Sequence, residues 1–119
     1  MCGIAGFWSR KPLHTPEKNL LKQMTEQLRH RGPDGFGYHV DNENGLGMGH
    51  ARLSIIDLQT GDQPLYSFDK NLVLTANGEF YDYKRLRTNL RLEGFRFKTK
   101  SDSEIALPLY RKHGLDFVE

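Results

Sequence analysis

The one cysteine of this chain, Cys2, stands directly behind Met1. Cysteine is small enough to permit removal of Met1, which would make Cys2 the terminal residue. Its thiol and its own α-amine would then lie within one residue. An α-amine titrates at about 7.7–8.0 and a cysteine thiol at about 8.5. The amine is therefore partly neutral near neutral pH and can act as the base for the thiol, directly or through a water, without a histidine. The other reading of Cys2 is a small buried hydrophobe, and the residue alone does not separate the two.

Four other stretches carry polar groups where strands or helices should end. HRGPDG at 30–35 is a tight turn. HARLSIID at 50–57 sets Arg52 inside an apolar run; a buried unpaired charge is costly, so this arginine needs a partner or a wet pocket. ANGEFY at 76–81 puts Asn77, Gly78 and Glu79 where a strand should meet a helix. The Gly78 N–H and the Asn77 side chain could both donate there, which suits an oxyanion. SDSE at 101–104 puts Asp102 at a helix start, where a capping role is the simpler reading. His14, His30, His39, His50 and His113 have no metal-like spacing, and no metal ligand is assigned.

The elements that must position these groups follow from pattern. CGIAGFW is a short β-leaning run that ends in the turn residues SRKP. Thr15 before Pro16 looks like a helix N-cap, and Leu20, Leu21, Met24 and Leu28 recur at helical spacing. Gly32 and Pro33 should stop that helix near Arg31. FGYHV and GLGMGHARLSII are strand runs joined by the turn-rich DNENG, a hairpin signal. QTGDQPLYSFDKN reads as loop, and LVLTAN as a buried strand. EFYDYKRLRTNLRLEG reads as a helix with Leu86, Leu90 and Tyr83 inward and Gly94 as its stop; Asp82 should cap it. FRFKT alternates like a short strand, and SDSE resembles a capping box before a last helix containing Pro108. Helices mixed with hairpin-like strands favour an α+β fold with antiparallel pairing over a doubly wound sheet.

At 119 residues the chain is at most one ordinary domain. A net charge of +2 is too small to argue for nucleic acid or a membrane surface, and neither is expected as a partner. One cysteine excludes an internal disulfide framework and a multi-cysteine zinc site. No run approaches a membrane span, and the opening residues lack a basic leader, so a cytoplasmic protein is expected.

MCGIAG, HRGPDG, RLSIID, NGEFY and SDSE, in that order, resemble the glutaminase domain of class II glutamine amidotransferases, which are N-terminal nucleophile hydrolases. Within these the chain is most similar to the glutamine-hydrolysing asparagine synthetase family. The resemblance implies a four-layer αββα sandwich, here incomplete, because residues 2–119 match only the N-terminal portion of that domain. It implies that Cys2 attacks the side-chain amide of L-glutamine, with its α-amine as base. Asn77 and the Gly78 N–H would hold the oxyanion. Arg52 would pair with the substrate α-carboxylate and Asp102 with its α-ammonium. Glu79 and the backbone of Leu53, Ser54, Ile55 and Ile56 would line the pocket. No cofactor is expected in this chain. ATP and Mg²⁺ are expected for a synthetase domain, covalently attached in the full-length enzyme, which would be a homodimer. The chain alone is expected to be poorly stable and to have little glutaminase activity. Two alternatives stay open: the head of another asparagine-synthetase-like amidotransferase of a polysaccharide or natural-product pathway, or a non-catalytic remnant.

Overall fold

The computed structural model describes residues 1–54 and 59–119. Its centre is a three-stranded antiparallel sheet of β1 (Gly3–Trp8), β2 (Gly35–Asp41) and β3 (Leu46–Arg52), in the order β1-β3-β2. Ile4 faces His50 and Trp8 faces Leu46 in one pairing, while Gly37 faces His50 and Asp41 faces Leu46 in the other. Side chains alternate across a strand. One face therefore carries Ala5, Phe7, Gly47, Gly49 and Ala51, and the opposite face carries Ile4, Met48, His50 and Arg52.

Helix α1 (Thr15–Glu26) covers the first face. Leu21 and Thr25 are its buried residues, and burying Leu21 contributes about 2 kcal/mol. The helix lies close because Gly49 has no side chain; a Cβ there would sit 1.9 Å from Thr25 Oγ1. Leu20 points to solvent, so the inner stripe is Leu21 and Thr25 rather than Leu20. The helix starts one residue earlier than the sequence suggests. His14 is the N-cap, and its N–H donates to the Glu17 carboxylate at 3.0 Å. A 3₁₀ turn at Gln27–His30 finishes the segment, close to the expected stop.

The second face is covered only in part, by a short hairpin of β4 (Leu65–Tyr66) and β5 (Val73–Leu74). β4 falls in a stretch whose turn residues predict loop, and β5 is shorter than the strand that LVLTAN predicts. Helix α2 (Tyr83–Leu92) follows, with Leu90 and Arg87 buried. It stops at Gly94, whose φ of +96° suits glycine. Asp82 occupies the N-cap position, but its carboxylate pairs with Arg85 instead of a helix N–H. Residues 95–99 are not a strand. A 3₁₀ turn at Asp102–Ile105, capped by Ser101 Oγ on Ser103 N–H, leads into α3 (Ala106–His113), where Pro108 falls in the first turn. The fold is thus α+β with antiparallel sheets, as expected. Among the described residues no helix is long and apolar enough to cross a membrane.

Candidate active site

Alternation along β1 and β3 puts Cys2, His50 and Arg52 on the partly covered sheet face. There a cavity of about 400 Å³ opens. The corner after β5 brings Asn77, Gly78 and Glu79 to it, and the Ser101 cap brings Asp102. Leu53 lines it beside Cys2. Ser54 is not among the lining residues; its N–H donates to Asp34 Oδ2 at 2.7 Å. Ile55 and Ile56 lie outside the described residues.

The Cys2 thiol sits against the strand end of β3. Leu53 N–H donates to Sγ at 3.3 Å, and Sγ lies 3.6 Å from Leu53 O. The two contacts hold the sulfur at the end of β3, facing the cavity. Met1 also lines the cavity, so in this form the terminal amine belongs to Met1.

Arg52 is buried and pairs with Asp62, whose side chain is largely in solvent. A guanidinium carries five N–H donors in a planar fork, enough for Asp62 and a second carboxylate. Asp102 is buried too, and its Oδ2 accepts Phe80 N–H at 2.9 Å. That bond ties the Ser101 cap to the corner that carries Asn77 and Gly78. A carboxylate accepts at both oxygens, so Asp102 can serve Phe80 and a cation together. The cavity thus presents a fixed cation and a fixed anion from different elements. That is the complement of a zwitterionic amino acid.

Several positioning residues escaped the sequence reading. The HRGPDG turn, read only as a turn, is a bracket around the site. Arg31 Nε donates to Cys2 O at 3.2 Å, and Asp34 N–H donates to Arg52 O at 2.9 Å. Arg87 donates to the carbonyls of Thr99 and Ser101, with its guanidinium 4.3 Å from the Phe97 ring centre. Glu104 does not close a capping box. Its carboxylate accepts the N–H groups of Lys98 and Thr99 at 2.7 Å each, leaving Ser101 N–H to Thr99 Oγ1. Arg87 and Glu104 together hold the segment that presents Asp102. A buried arginine in a helix was visible in sequence only as one charge among many.

His50 is buried beside Arg52, and burial above all, with the neighbouring Arg52 charge, pushes its imidazole below the usual histidine range. Among the described residues no three His, Cys, Asp or Glu side chains gather in a way that could hold a metal ion.

A family model described as a glutamine amidotransferase domain matches residues 1–119. The chain is 42% identical to asparagine synthetase [glutamine-hydrolyzing] 1 of Bacillus subtilis (strain 168), over 95% of its own length and 18% of the relative's. It is 40% identical to asparagine synthetase [glutamine-hydrolyzing] 3 of Arabidopsis thaliana, over 100% of its own length and 20% of the relative's. It is 39% identical to asparagine synthetase [glutamine-hydrolyzing] of Zea mays, over 100% of its own length and 20% of the relative's. The chain spans about a fifth of the length of these relatives. A match across every described element, and a thiol set among fixed charges of both signs, place this chain in the glutamine amidotransferase domain family.

Proposed function

We propose that this chain is the glutaminase head of a longer, glutamine-dependent asparagine synthetase. The observation that carries the reading is that Cys2, Arg52, Asn77, Gly78 and Asp102, from separated stretches of sequence, line one cavity. With Met1 removed, the Cys2 amine takes the thiol proton. The thiolate sulfur bonds to the side-chain amide carbon of glutamine, and the carbonyl electrons move onto oxygen. The Asn77 side chain and the Gly78 N–H stabilise that oxyanion. The protonated amine then gives its proton to the leaving nitrogen, the C–N bond breaks, and ammonia departs from a glutamyl thioester. Water, deprotonated by the same amine, cleaves the thioester to glutamate and the free thiol. Arg52 holds the α-carboxylate and Asp102 the α-ammonium. Ammonia would pass to an ATP- and Mg²⁺-dependent amidation of aspartate, carried by sequence outside these residues. The relatives' names support that acceptor.

The same reading completes the fold as a four-layer αββα sandwich, further strands covering the open face around Ile4 and Met48. The deciding experiment measures glutamate release by the intact protein and the mass of its N-terminus. Met1 should be absent, and Cys2→Ala should lower glutaminase turnover by at least about 10³-fold. Retained Met1 in an active protein, or undiminished turnover by Cys2→Ala, would overturn the nucleophile assignment.

A further inference from the structure

Ala76 stands immediately before Asn77 and Gly78, beyond the last residue of β5. Side chains from two other segments hold its backbone. Ala76 N–H donates to Gln63 Oε1 at 2.6 Å. His50 Nε2 lies 3.2 Å from Ala76 O. A carbonyl can only accept, so the ring proton is on Nε2. Nδ1 then carries a lone pair. It is buried, and it has no hydrogen-bond partner among the described residues.

These two bonds act on different peptide planes. The Ala76 N–H belongs to the plane shared with Thr75, and the Ala76 carbonyl belongs to the plane shared with Asn77. Fixing both planes fixes the backbone angles of Ala76, and with them the direction in which the chain enters Asn77 and Gly78. The clamp is itself grounded in the sheet. His50 is 1% exposed on β3. The Gln63 carbonyl presses on Gly37 of β2, where an added Cβ would lie 1.7 Å from that oxygen.

We propose that His50 and Gln63 are positioning residues that aim the oxyanion donors of Asn77 and Gly78 at the carbon attacked by Cys2. This rests on the reading of that corner as the oxyanion site. What the imidazole adds is one directed donor to the backbone beside the corner. Burial above all, with the neighbouring Arg52 charge, favours the neutral ring, whose single N–H serves the carbonyl. Misdirected oxyanion donors weaken the transition state and leave ground-state binding by Arg52 and Asp102 intact.

The test uses the intact protein and steady-state glutamine hydrolysis, with the γ-aldehyde of glutamate as a probe that forms a tetrahedral adduct on the thiol. His50→Leu and Gln63→Met should each lower kcat about 10- to 100-fold, with KM changed less than about twofold. Affinity for the aldehyde should fall in parallel, while alkylation of Cys2 by iodoacetamide keeps its rate. Glutamine places its amide nitrogen as many bonds from the backbone as histidine places Nε2. His50→Gln should therefore recover kcat to within about threefold of the parent, whereas the shorter His50→Asn should not. Parental kcat in both His50→Leu and Gln63→Met overturns the proposal. So does a His50→Gln variant as impaired as His50→Leu, or a loss confined to KM. If His50→Leu does not fold, Gln63→Met and His50→Gln carry the same comparison. Cys2→Ala separates the two levels: an active Cys2→Ala sinks the reading of the site, and an inactive one beside fully active His50→Leu and Gln63→Met sinks only the positioning role.

Discussion

Asp102 serves two neighbours with one carboxylate. Its Oδ2 fastens Phe80 N–H, and in the proposed function its charge meets the substrate ammonium. The two duties separate on substitution. Asp102→Asn keeps an oxygen for Phe80 and removes the charge; KM for glutamine should rise about 10- to 100-fold, the worth of a charge-assisted hydrogen bond. Its thermal midpoint should stay near the parent's. Asp102→Ala should show the same KM defect and also lose about 1–3 kcal/mol of stability, because a buried N–H loses its acceptor. Parallel kinetics and denaturant melts check both; an Asp102→Asn with parental KM would remove Asp102 from the substrate site. The residue types were legible in the sequence: a thiol, an arginine in an apolar run, an amide and a glycine at a corner, an acid at a helix start. Their partners were not. Asp62 on Arg52, Arg31 on the Cys2 carbonyl and His50 on Ala76 are contacts between residues 10, 29 and 26 positions apart. No local pattern records them.

At the scale of elements, the helices and the β2–β3 hairpin followed from periodicity and turn chemistry, and the short strands did not. FRFKT alternates, but its polar backbone finds Glu104 instead of a neighbouring strand, while Phe97 packs under Arg87. Alternation reports which side chains are buried, and a ladder needs a partner as well. LVLTAN leaves its ladder early, and Gln63 and His50 hold Ala76 instead. Close approach of backbone to backbone sets the tolerance of the glycines. Gly37→Ala would drive a Cβ against the Gln63 carbonyl. It should cost about 1–3 kcal/mol and displace Gln63. Gly78→Ala meets nothing within 4 Å, so its stability should change by no more than about 1 kcal/mol. Urea melts of the two variants in the intact protein make the comparison, and equal stabilities would refute the packing of Gln63 on β2.

For the whole molecule, the two faces of the main sheet differ. One is covered by α1. The other holds the cavity at one end and leaves Ile4 and Trp8 exposed at 50% and 69%. The radius of gyration is 14.8 Å, against about 13.5 Å for a compact chain of this length. In the proposed function, further strands would cover this face. The surface ion pairs Lys112–Glu93 and Arg111–Asp69 tie α3 to its neighbours, but exposed pairs add little stability and do not replace a covered face. Residues 1–119 produced alone should bind a hydrophobic dye such as ANS and melt with low cooperativity, and the intact protein should do neither. A cooperative melt of 1–119 without dye binding would show that the open face needs no cover.

The sequence by itself determined the reacting types and their order, the α+β class and the helices. Thiol chemistry, turn chemistry and periodicity are properties of residues and their near neighbours. Only the tertiary structure decided that β1, β3, the corner after β5 and the Ser101 cap meet at one cavity. Only it showed that the HRGPDG turn brackets the site, and that His50 and Gln63 clamp the corner. Those outcomes depend on strand register, on glycines that let backbones touch, and on buried polar groups seeking partners across the fold. Each is settled by the packing of the whole sheet and by no shorter stretch of the chain.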